Sequence, residues 1–80
     1  MMRRLSISQS NVRFGDLQDV VEAFGFALKR TRGSHWLYGH PGISEQLNLQ
    51  EVHGEAKPYQ VRQFLKLVER RNLKMAGEDE

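Results

Sequence analysis

Three histidines, His35, His40 and His53, are the side chains here best suited to moving a proton near neutral pH. A metal centre would need three or four convergent ligands. The chain has no cysteine and no clustered carboxylate, and on a strand His35 and His40 would point to opposite faces, so no metal site is expected. General acid–base chemistry is the better fit. RNA cleavage is a reaction in which one imidazole goes far, because the 2′-hydroxyl is its own nucleophile. Beyond that, the enzyme needs a proton acceptor, a proton donor and cationic support for the phosphate. His35 follows Gly33-Ser34 and lies close in sequence to Lys29, Arg30 and Arg32. The plain alternative for His35 is an exposed histidine on a hairpin strand. No Ser-His-Asp or Cys-His triad can be assembled. Gly33, Gly39, Gly42 and Gly54 are isolated turn glycines rather than a phosphate-cradling loop. Trp36 and Tyr38 share a strand face with His40. Such rings either stack on bases or edge a core.

The elements that must position these groups follow from periodicity. Phe14, Leu17, Val20, Val21 and Phe24 form a helical stripe, with Asn11 as N-cap and Gly25 as stop, predicting a helix over about 13–24. Phe26, Leu28 and Arg30 alternate with Ala27, Lys29 and Thr31, predicting a strand with one basic face. A turn at Arg32-Gly33 leads to a second strand, Ser34 to His40, and Pro41-Gly42 turns the chain again. Leu47 and Leu49 alternate with Asn48 and Gln50 in a short third strand, which Val52 interrupts. His53 to Lys57 reads as a loop. Pro58 opens a second helix carrying Val61, Phe64, Leu65 and Val68, which ends near Asn72. The order α-β-β-β-α predicts an α+β two-layer sandwich: a three-stranded antiparallel sheet under two helices, with one face open to water. Double-stranded-RNA-binding domains share this order. Residues 1–10 are expected to be a flexible lead-in, 11–73 a single domain and 74–80 an acidic flexible tail.

Eighty residues bound the whole to one domain with a small core. The chain carries 12 basic and 10 acidic residues, a net +2, but Glu78, Asp79 and Glu80 close it. Without those three the balance is 12 against 7, a basic body that suits a polyanionic partner. No apolar run is long enough to cross a membrane, and the basic N-terminus lacks the apolar stretch of a signal peptide. No membrane association and a cytoplasmic location are expected.

Gly25-Phe26, Lys29-Arg30 and Gly33-Ser34-His35, in that order, resemble the HicA family of toxin ribonucleases from HicAB toxin–antitoxin modules. The likeness continues through His40-Pro41-Gly42, Leu47-Asn48-Leu49, His53-Gly54, Lys57-Pro58 and the helix from Gln60 to Leu73. It spans about residues 11–73. The resemblance implies a double-stranded-RNA-binding-like fold and an endoribonuclease, an mRNA interferase, that cuts mRNA without metal or other cofactor. It implies a catalytic role for His35. Beside it, Lys29, Arg30, Arg32, Ser34 and Trp36 are expected to bind RNA, and His53 is a lesser candidate. It also implies a HicB-type antitoxin partner that covers the site, with the toxin a monomer when free and part of a hetero-oligomer when bound. Many family members carry a second histidine where this chain has Trp36. The segment Pro41 to Gln46 also departs from the family, and a proline usual before His53 is missing. A non-catalytic RNA-binding module of the same fold is the alternative.

Overall fold

In the computed structural model, residues 12–75 are described, and the expected lead-in, the Asn11 cap and the end of the acidic tail lie outside them. The chain runs through β1 (Val12–Arg13), α1 (Phe14–Ala23), β2 (Ala27–Arg32), β3 (His35–Gly39), β4 (Gln46–Val52), β5 (Glu55–Ala56) and α2 (Pro58–Arg71). The strands form one antiparallel sheet in the order β1-β5-β4-β3-β2. The class is α+β with two helices, as the periodicity predicts, but the sheet has five strands rather than three. The two additions are two-residue strands, too short for alternation to announce them. β5 folds back on β4 through His53 and Gly54, with φ of 53° and 78°, the left-handed pair that a tight hairpin turn needs. β1 then pairs Val12 with Ala56 and Arg13 with Glu55.

Both helices stop for a stated reason. At the end of α1 the Gly25 amide donates to the Glu22 carbonyl and the Phe26 amide to that of Val21. At the end of α2, Asn72 adopts φ 53° and the Leu73 amide donates back to Val68. These are paired C-terminal closures of the Schellman kind. Pro58 occupies the first turn of α2, where its missing N–H leaves nothing unsatisfied.

The core lies between the helices and one sheet face. Phe14, Leu17 and Val21 descend from α1, Val61, Phe64 and Leu67 from α2, to meet Tyr38, Leu47 and Leu49 of the sheet. Phe64 stands edge-on to Phe24 at 5.5 Å and to Phe26 at 6.0 Å, the offset geometry that aromatic quadrupoles favour. Gln60 is the buried polar member. Its Oε1 accepts from the Gln50 backbone N–H at 3.0 Å, a donor that β5 is too short to pair. Among the described residues no helix lies over the opposite sheet face, and this places the site.

Candidate nucleic-acid interface

Alternation along a strand decides which side chains share the open face. On β3 they are His35, Leu37 and Gly39. Register carries the pattern sideways. Arg32 pairs with His35 and His35 with Gln50; Arg30 pairs with Leu37 and Leu37 with Asn48. Two rungs of the face therefore run from a cation on β2, across β3, to an amide on β4. A third joins Ala27 to Gly39 and Gly39 to Gln46. There the Lys29 side chain lies across Gly39, so close that a Cβ on residue 39 would sit 2.6 Å from Lys29 Cε.

The simple alternation of β2 does not hold. Pairing slips between Leu28 and Arg30, where one extra residue bulges. Phe26 is buried, and Leu28 pairs with Tyr38 on the helix side. Beyond the bulge Arg30 and Arg32 take the open side, so Arg30 does not share a face with Phe26 and Leu28 as alternation predicts. Lys29, the extra residue, joins them there. The turn is Gly33-Ser34 rather than Arg32-Gly33. Gly33 takes φ 60° at the first central position of a two-residue hairpin loop, a conformation that favours glycine. The Gly-Ser pair thus sets His35 directly opposite Arg32.

Arg30, Arg32, His35, Leu37 and Asn48 line a shallow, open groove of about 390 Å³. Among the described residues, the open side of β2, β3 and β4 carries no carboxylate. Glu55, on the far strands, stands opposite Arg13. No ion pair engages Lys29, Arg30 or Arg32 among the described residues, whereas Arg70 and Arg71 are both held by Glu45, at 3.5 and 2.8 Å. The hydrogen bond from Arg71, with the nearby guanidinium charges, holds the Glu45 carboxyl below its usual range. The cations of the open face are therefore available to an anionic ligand, and those at the end of α2 are engaged within the protein.

The remaining histidines and aromatics stand elsewhere. Trp36 points to the helix side, half-buried, with its ring 5.6 Å from that of Phe14. Its Nε1–H is buried and finds no partner among the described residues. This placement takes Trp36 away from the face that bears Lys29, Arg30 and Arg32. Tyr38 is fully buried. Its hydroxyl accepts from Gln18 Nε2 at 3.0 Å, and burial pushes the phenol up from its ordinary value. His40 is a structural bolt. Its Nδ1 accepts from the Gly42 amide at 2.9 Å, which leaves Nε2 to donate to the Phe24 carbonyl at 3.1 Å. His53 is exposed in the β4–β5 turn, outside the groove. Ser34 lies exposed in the hairpin turn, where its carbonyl accepts from the Glu51 amide at 3.0 Å. Of the three histidines, only His35 faces the groove. Leu37 and Asn48 are the groove residues that were not singled out from sequence. Their signal is the two-residue period of β3 and β4, which puts both on the His35 face once the register is known.

Among the described residues no three histidine or acidic side chains converge as a metal cluster would require, and no helix is long and apolar enough to cross a membrane. Compared with family models, with curated proteins and with solved structures, the chain matches none.

Proposed function

We propose that this chain is a metal-independent endoribonuclease that cuts mRNA with His35, acting as the toxin of a type II toxin–antitoxin module of the HicA kind. The observation that carries the reading is the placement of His35 on the open sheet face, opposite Arg32 and in one groove with Arg30. The α1-β2-β3-β4-α2 core of the chain has the element order of a double-stranded-RNA-binding domain, which supports the same reading. Trp36, where the family often has a second histidine, turns to the helices and stays out of the groove.

The chemistry proceeds as follows. His35 accepts the proton of a ribose 2′-hydroxyl. The 2′-oxygen attacks the adjacent phosphorus, and the bond from phosphorus to the 5′-oxygen breaks. The imidazolium then returns its proton to the departing 5′-oxygen, which leaves a 2′,3′-cyclic phosphate and a 5′-hydroxyl. Arg30 and Arg32 stabilise the charge that grows on the phosphoryl oxygens. An antitoxin of the HicB type would cover this open face and so block the groove.

The test is incubation of purified protein with labelled mRNA in EDTA, beside the His35→Ala protein. Loss of the imidazole is expected to slow cleavage by at least about 100-fold with circular dichroism unchanged, and to abolish growth arrest on expression. Equal cleavage by the folded His35→Ala protein would remove His35 from the mechanism. A second reading, RNA binding without cleavage, draws on the same groove, which contains no proton-transferring group besides His35. Tight binding with no cleavage by the wild type would establish it.

A further inference from the structure

Gly39 closes β3 on the open face, at a position where a side chain would collide with a cation. Leaving aside its chain neighbours, the three atoms nearest the place its Cβ would take all belong to Lys29: Cε at 2.6 Å, Cγ at 3.5 Å and Cδ at 3.6 Å. The Lys29 stem therefore runs from the bulge in β2 across the bare backbone of β3. It covers that backbone, so that Gly39 is buried while Lys29 is exposed. A lysine that lays its stem along a surface keeps its ammonium in water. Nζ is one bond beyond Cε, so the charge stands over β3, on the side that His35 and Leu37 share. Glycine weakens a strand and often marks a close approach there. Residue 39 has no positive φ to call for glycine. The approach of Lys29 is the reason that remains.

We infer that Gly39 is a positioning residue for Lys29, and that the ammonium so placed holds a second phosphate of the RNA strand that His35 cuts. The inference rests on the reading of the open face as an RNA site and adds a subsite to it. From His35 to Gly39 the chain advances four residues along β3, roughly 13 Å at about 3.3 Å each. Stacked nucleotides advance about 3.4 Å along a strand, so the two groups stand about four stacked nucleotides apart, and fewer along a stretched strand. Lys29 is therefore out of reach of the phosphate beside His35. Arg30 and Arg32 serve that phosphate, and Lys29 holds the strand further along. An ammonium acts on phosphate as a point charge. The contact adds affinity for a longer strand and reads no base.

The experiment measures binding of a 2′-O-methyl decauridylate, which cannot be cut, by wild-type protein, Lys29→Ala, Gly39→Ala and the double variant. One phosphate contact with a single strand carries a salt slope of about 0.7, or about fivefold in affinity near 0.1 M salt. Each single variant is expected to lose about that much affinity and that much slope, and the double variant no more than either. Binding by Gly39→Ala equal to that of the wild type overturns the inference. So does a double variant whose loss is the product of the two single losses. The far end of a lysine yields easily, so Gly39→Ala is expected to keep the urea midpoint of the wild type. If it fails to fold, the double variant decides: with the stem gone it should fold, and its failure too overturns the inference. In the free protein, nuclear Overhauser cross-peaks are expected between the ε-methylene of Lys29 and the α-protons of Gly39, and their absence overturns the placement. Wild-type protein that binds no RNA removes the reading of the face and the second phosphate with it, while the cross-peaks still decide whether Gly39 positions Lys29. Binding of natural RNA without cleavage removes the nuclease and leaves this inference standing.

Discussion

His35 and Trp36 are neighbours in sequence, yet the alternation of β3 sends one to the groove and the other to the core. That separation makes Trp36 a test of which face meets RNA. Trp36→Leu removes the ring but keeps apolar contact with Phe14. It also removes the buried Nε1–H that lacks a partner, so part of the lost packing is offset. Urea denaturation is expected to show a loss of only about 1–2 kcal/mol. Filter binding should show RNA affinity within twofold of wild type, whereas a base stacked on Trp36 would be worth roughly 1–3 kcal/mol. A drop of tenfold or more would return Trp36 to the binding surface. At this scale much was legible. Period-two alternation alone separates His35 and Leu37 from Trp36 and Tyr38. The work done by His40 was not legible, because its partners, the Phe24 carbonyl and the Gly42 amide, are brought to it only by the fold.

Among the elements, β4 depends most on a single side chain from elsewhere. Its Gln50 amide is left beyond the end of β5, and Gln60 from the first turn of α2 accepts it. Gln60→Leu keeps the volume but strands that donor. The expected loss is about 1–3 kcal/mol, with faster hydrogen exchange at the Gln50 amide. Equal stability of Gln60→Leu and wild type would show that the hydrogen bond contributes nothing. The helices were readable from sequence because their stripes run for three turns or more, and Gly25 and Pro58 mark ends that the structure keeps. β1 and β5 were not, since two residues carry no period. The bulge in β2 was hidden for a related reason. Leu28, Lys29 and Arg30 fit a regular strand equally well until pairing with β3 fixes which residue is the extra one.

Across the described residues, the open side of β2, β3 and β4 keeps only cations and neutral groups, while Asp16, Asp19 and Glu22 lie on α1 and Glu45 engages the arginines that end α2. Such sorting orients the protein towards a polyanion before contact and makes binding depend on salt. Each phosphate contact with a single strand contributes a slope of about 0.7, so Arg30→Ala with Arg32→Ala should flatten the plot of log affinity against log salt by roughly 1.4. Arg70→Ala with Arg71→Ala is expected to change the slope less, because Glu45 already engages both guanidinium groups. Equal flattening by the two pairs would place RNA on α2 as much as on the sheet.

The extra residue in β2 has an effect on the protein's own company. Among the described residues β2 is an edge strand, with a row of backbone donors and acceptors that no neighbouring strand takes up, the kind of border along which identical chains zip together. The bulge breaks the straightness of that border, and Lys29, Arg30 and Arg32 charge it with one sign. Two copies brought edge to edge would meet with mismatched backbones and like charges. The irregularity that enlarges the cationic row is thus also one of the features that oppose edge-to-edge pairing of strands.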